Sequence, residues 1–160
     1  MLQSVVSIRR IAVLASACGL ATVGTLALIG IARADGAQAS LSCSNVTLKG
    51  TYPFAETGWS ISAQGGATPY ARAGFNTFAG DGTGTGVLTV NSNGVVVENN
   101  ETFNATYSIN ADCTGTVVFN RADGSLVHFN MYVSPSGEQF RLVETDPGSV
   151  DAETVTRVAR

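Results

Sequence analysis

Charge is scarce in this 160-residue chain: 13% of its residues are charged, and nine Lys+Arg stand against twelve Asp+Glu. With a formal net charge of −3 and no cluster of basic residues, a basic nucleic-acid binder is excluded. Histidine is scarcer still. His128 is the only one, which excludes a histidine-rich zinc site and ties any catalytic triad to that residue. Helical periodicity is lacking beyond the first 35 residues, so a helical bundle is excluded. Nucleophile and nucleotide motifs are missing as well. There is no CxxC pair and no G-x-S-x-G elbow. The run Gly80-Asp81-Gly82-Thr83-Gly84-Thr85-Gly86 lacks the Lys-Ser/Thr end and following helix that a phosphate loop needs. It reads as a turn and the glycine-rich start of a strand.

What is present is apolar, 44% of the chain, and unevenly placed. Arg9-Arg10 precede a charge-free stretch from Ile11 to Ala32, followed by Ala32-Arg33-Ala34 and Ala37-Gln38-Ala39. A basic start, an apolar centre and a small-residue end make a secretory signal peptide over residues 1–39, expected as a helix. Cleavage after Ala39 is favoured over Ala34, because the second site avoids the arginine. At 22 residues the apolar stretch is also long enough to span a bilayer, so an uncleaved anchor is the alternative. Residues 11–32 are the only part with that reach. The expected address is therefore export, to the periplasm or the medium, with residues 40–160 forming a single mildly acidic domain.

That domain keeps two cysteines, Cys43 and Cys113. An even count in an oxidising compartment reads as one disulfide. No clustered histidine or second cysteine pair supports a redox or metal role instead.

From Val46 onward, short β-rich runs are broken by turn chemistry about every ten residues. The breaks are Gly80-Asp81-Gly82, Asn91-Ser92-Asn93-Gly94, Asp112-Cys113-Thr114-Gly115, Ala122-Asp123-Gly124, Ser134-Pro135-Ser136-Gly137 and Asp146-Pro147-Gly148. Asn-Gly and Asp-Gly tolerate the positive φ of tight hairpins, so neighbouring strands should be antiparallel. The spacing predicts strands near 47–55, 58–63, 70–79, 84–91, 94–109, 115–121, 125–133, 138–145 and 150–159. Eight or nine hairpin-linked strands form an up-and-down meander whose edges are best removed by closure. The expectation is an all-β antiparallel barrel of about eight strands, with a two-sheet β-sandwich as the alternative. Gly58, Gly65-Gly66, Gly74 and Gly86 would serve bulges and tight bends at barrel corners.

Val127, Phe129, Met131 and Val133 alternate with Leu126, His128, Asn130 and Tyr132. On the next strand Arg141 alternates with Gln139 and Val143, while Glu144 shares a face with Phe140 and Leu142. If the His128 face lined the lumen together with Arg141, then His128, Asn130, Tyr132 and Arg141 would form an ionisable cluster. Such a cluster orients a ligand or moves a proton. A register shift of one residue reverses the face, which leaves His128 as an ordinary strand residue. Tyr52, Trp59 and Tyr70, with Phe54, Phe75 and Phe78, belong to the core or to a barrel mouth. Ligand-binding candidates are thus Tyr52, Trp59, Tyr70, His128, Tyr132 and Arg141; catalytic candidates are His128, Arg141 and Glu144. No metal site and no cofactor are indicated: calcium at Asp81 needs more oxygens than one carboxylate supplies locally, and Asp112 or Asp123 would have to join from other turns.

Three segments carry a resemblance. Cys43-Ser44-Asn45-Val46-Thr47-Leu48-Lys49-Gly50-Thr51-Tyr52, Tyr107-Ser108-Ile109-Asn110-Ala111-Asp112-Cys113-Thr114-Gly115-Thr116 and Glu144-Thr145-Asp146-Pro147-Gly148 resemble a group of small exported bacterial proteins of unknown function. The resemblance implies export and the Cys43–Cys113 pairing, and it implies no activity. By hairpin layout alone the chain is also similar to calycin-type and allene-oxide-cyclase-type barrels. The expected function is non-catalytic binding of a small apolar or amphipathic molecule. The alternatives are a barrel cyclase or isomerase using His128, Arg141 and Glu144, and a structural or surface-assembly module. No nucleic-acid partner is expected, and no sequence feature sets an oligomeric state.

Overall fold

The structure, a computed structural model, describes residues 42–158. The expected signal segment, its cleavage sites and its alternative as an anchor lie outside the described residues. Eight strands follow a short 3-10 turn at Asn45–Thr47: β1 (Lys49–Ile61), β2 (Ala67–Ala79), β3 (Thr83–Ser92) and β4 (Val95–Ile109), then β5 (Thr114–Asn120), β6 (Leu126–Val133), β7 (Gln139–Glu144) and β8 (Ser149–Thr156). Each strand pairs antiparallel with the next. The last closes on the first through Gly58↔Asp151, Trp59↔Val150 and Ser60↔Ser149, giving a closed barrel. Closure excludes the sandwich alternative.

Each of the six turn segments read from the sequence contains a strand-to-strand connection, although Asn91-Ser92 end β3 and Thr114-Gly115 begin β5. The tightest, Asn93-Gly94, has positive φ at both residues (50° and 84°), the geometry of a two-residue hairpin. Aspartates order three others. Asp81 Oδ1 accepts from Thr83 N and Oγ1, Asp112 Oδ1 does the same with Thr114, and Asp123 Oδ1 accepts from Ser125 N. These carboxylates therefore build turns, and hydrogen bonding holds the pKa of all three below the usual carboxylate value.

Two expectations are corrected. The strands foreseen at 47–55 and 58–63 are one continuous strand, β1, paired with β2 without interruption from Lys49↔Ala79 to Ile61↔Ala67. Gly58 does not break it; the residue leaves room on the inner face for the Tyr70 ring. Nor do Gly58, Gly74 and Gly86 mark bulges, for the ladder is continuous at each. The irregularity lies between β3 and β4, at Leu88 to Asn91, opposite Asn100 with its φ of 53°. It shifts the β4 register, so that below it Phe103, Ala105, Tyr107 and Ile109 are buried while above it Glu98 is the partly buried residue.

Gly86 is required for close approach: a Cβ there would collide with the Phe103 ring and the Phe75 carbonyl oxygen. Gly86→Ala is expected to lower the unfolding free energy by about 1–3 kcal/mol, read from urea denaturation. An unchanged midpoint would show that the Phe103 ring yields without cost.

One end of the barrel is solid. Tyr52, Phe78, Tyr107 and Phe140 stack edge to face with centroids 5.0–5.8 Å apart, surrounded by Met131, Leu142, Val117 and Val155. The segment before β1 seals this end. Tyr107 Oη donates toward the Asn45 and Leu48 carbonyls, Asn45 Oδ1 accepts from Ile109 N at 2.9 Å, and Leu48 is fully buried. A Cys43–Cys113 disulfide clamps the seal to the β4–β5 turn. A disulfide of this kind is compatible with an exported protein. Among the described residues no helix is long and apolar enough to cross a membrane.

Candidate functional site

The opposite end, where the β1–β2, β3–β4, β5–β6 and β7–β8 turns gather, is polar inside. β1 carries Phe54 and Glu56 on its inner face, β2 carries Tyr70, Arg72 and Asn76, and β8 carries Asp151 and Glu153. Glu56 lies opposite Arg72 in the β1–β2 register. Charged residues on inner faces are rare because desolvation penalises them unless they are paired. Here Arg72 is the hub. Its Nε pairs with Glu56, and its Nη2 pairs with Asp151, with Glu144 at 2.8 Å and with Tyr70 Oη at 3.0 Å. Tyr70 Oη in turn donates to Asp151 and lies 3.2 Å from Ser149 Oγ.

The electrostatics follow from one cation among four carboxylates. Burial pushes Glu56 up to about 7, against the pull of Arg72. Burial, then the neighbouring Glu56, pushes Glu153 up to about 8. Glu144 is raised by burial and by its contact with Asp151. Burial opposes the charge on Arg72, but Glu56 and the other acids override it and keep the guanidinium protonated.

Beside this hub lies a small, partly open cavity of about 30 Å³, lined among others by Glu56, Arg72, Asn76 and Glu153 and by Phe54, Phe103, Phe119 and Phe129. Above it a wider hollow of about 340 Å³ opens at the mouth, between Tyr70, Val90, Val97, Glu98, Glu144 and Pro147-Gly148-Ser149. Arg72, Arg121 and Val127 line both. Arg121 is held at the rim by Glu98, 2.8 Å away. Two buried side-chain oxygens at the cavity, Glu153 Oε2 and Asn76 Oδ1, have no partner among the described residues. Glu153 is 7% exposed and Asn76 2%. Among the described residues, no group of three or more His, Cys, Asp or Glu side chains is placed to hold a metal ion.

The residues singled out from sequence are scattered. Phe129, Met131 and Val133 are the buried face of β6, so His128, Asn130 and Tyr132 point outward. His128 Nδ1 meets Asp146 Oδ1 at 2.9 Å outside the lumen. Arg141 is exposed on β7, while Glu144 points inward with Phe140 and Leu142. The conditional His128, Asn130, Tyr132 and Arg141 cluster is therefore not a lumen cluster, and Glu144 is separated from His128 and Arg141. Trp59 is 49% exposed on the outer face, and Tyr52 is locked in the solid end, donating to the Gly137 carbonyl at 2.7 Å. Only Tyr70 and Glu144 reach the mouth. Glu56, Arg72, Asn76, Asp151 and Glu153 were not foreseen. Their signal was present in the alternation: Glu56 shares parity with Tyr52 and Phe54, and Glu153 with Val155.

These features define a closed eight-stranded antiparallel barrel with one sealed end and one open, charged end. No known protein family, curated protein or solved structure matches the chain.

Proposed function

We propose that this protein, in the periplasm or outside the cell, binds a small amphipathic molecule at the open end of its barrel and does not transform it. The observation that carries the reading is the 340 Å³ hollow, in which Val90, Val97 and Val127 stand among hydroxyl and charged groups, Arg72 and Glu144 included. Fixed polar and charged groups beside apolar patches suit a small molecule that is itself amphipathic. The small cavity of about 30 Å³ holds no more than a head group, so the body of the ligand would lie in the mouth. Against a cyclase or isomerase stands the dispersal of His128, Arg141 and Glu144, which share no space in which a substrate could meet all three.

Native mass spectrometry of the protein recovered from its own host tests the reading. A small molecule retained at one per chain is the expected result. A bare polypeptide mass under gentle desolvation would sink it.

A further inference from the structure

We infer that the small cavity beside Arg72 receives the ammonium head of a small primary amine, with Glu153 and Asn76 as its acceptors. The inference deepens the binding reading above and rests on it. Four carboxylates, Glu56, Glu144, Asp151 and Glu153, surround one guanidinium, and Arg72 engages only the first three. Glu153 is left over. Once ionised, Glu153 offers Oε2 as an acceptor beside Asn76 Oδ1; both atoms are buried at the same cavity, and neither has a partner among the described residues. A buried acceptor without a donor costs free energy, so the complement must bring N–H groups.

Charge and shape narrow the class. Arg72 and Arg121 already face carboxylates, so an entering anion would meet a surplus of negative charge. The lining residues Phe54, Phe103, Phe119 and Phe129 offer aromatic rings, which attract a cation. A cavity of about 30 Å³ has room for roughly two water-sized groups, an ammonium and one methylene, and not for a planar guanidinium. A short alkyl or aryl tail would then pass Val127 into the mouth, against Val90 and Val97.

Binding should also move a proton. The groups around Glu153 are Glu56 on β1, Arg72 and Asn76 on β2, Glu144 on β7 and Asp151 on its own strand, with Tyr70 and Arg121 toward the mouth. Burial holds Glu153 near 8, so at pH 7 it is mostly protonated. An arriving ammonium stabilises the carboxylate, and the Glu153 proton leaves to solvent as the ion pair forms. Affinity therefore rises from pH 6 toward pH 8.5, below the range in which an alkylamine loses its own proton, about 10.

The test is calorimetry on protein purified after export of the full chain, titrated at pH 7 with n-butylamine, n-butanol and sodium butyrate. Each titration is repeated in phosphate and in MOPS, neither of them a primary amine, whose different ionisation heats report proton release. Butylamine is expected to bind at least about tenfold more tightly than the other two and to release a proton. Glu153→Gln, which keeps the shape, is expected to weaken the amine at least about tenfold and to abolish the release, with circular dichroism unchanged. Equal binding of butylamine and butanol overturns the amine inference and leaves mouth binding standing. No binding of the three probes, or an amine bound equally well by Glu153→Gln, overturns it outright. Mouth binding itself fails only with a bare mass in the native spectrum.

Discussion

Replacing both Cys43 and Cys113 with serine is expected to remove about 4 kcal/mol of stability and to lower the melting temperature by on the order of 15 °C. The bridge joins residues separated by 70 positions, so in the unfolded chain it closes a long loop and removes much of that chain's entropy. The native end of the barrel should change little. Cys43 N still donates to the Ala111 carbonyl at 3.2 Å, Ile109 N to Asn45 Oδ1, and Leu48 remains buried beneath the seal. Cys113 sits at a φ of 69°, a costly conformation for a residue with a Cβ, and Cys113 N donates to the Asn110 carbonyl at 3.0 Å to hold it. Serine inherits that strain without the bond. Thermal unfolding by circular dichroism of the oxidised, reduced and double-serine proteins checks the expectation. The last two should coincide. A loss below about 1 kcal/mol in the double-serine protein would mean that the docked segment alone holds the barrel end and that the loop entropy counts for little.

Turns were the most legible part of the molecule, because their chemistry is local. Asn93-Gly94 can adopt two successive positive φ values at low cost, and Asp81, Asp112 and Asp123 each sit two residues before a Thr or Ser that they bond. Strand count and closure follow from such turns. The face turned to the lumen was less legible, since period-two alternation separates two faces without saying which is inside. On β6 the apolar set Phe129, Met131 and Val133 took the interior, and His128 went out with Tyr132. The charged site was hidden by the rule that charges face water. Glu56 and Arg72 read singly as solvent residues. Only the register through the Ser62–Gly66 hairpin, which sets them side by side, reveals an inner pair. The irregularity at Asn100 that brings Glu98 to the rim has no glycine or proline to mark it.

Arg72→Met should be the most damaging single substitution in the open half, and its cost should depend on pH. Methionine keeps much of the stem's packing and removes the cation, leaving Glu56, Glu144 and Asp151 buried around an apolar chain. Breaking a buried ionic group by removing one partner typically costs about 3–5 kcal/mol. The wild-type background has a known sign. Burial raises Glu56 to about 7 and Glu153 to about 8 from the ordinary 4.5, so they favour folding most at or below pH 4.5 and lose that contribution as pH rises through 7 and 8. Wild-type stability should therefore increase on moderate acidification from pH 8.5 to pH 5. Without Arg72 nothing opposes the rise in these values, so the acids stay neutral in the folded barrel over a wider range while the unfolded chain ionises near 4–4.5. The penalty is then small at pH 4 and grows toward pH 7.5. Urea unfolding of wild type and Arg72→Met at the two pH values measures it. A loss of the same size at both would assign the role of Arg72 to packing of its stem, and the buried charges would have to be stabilised by something other than the guanidinium.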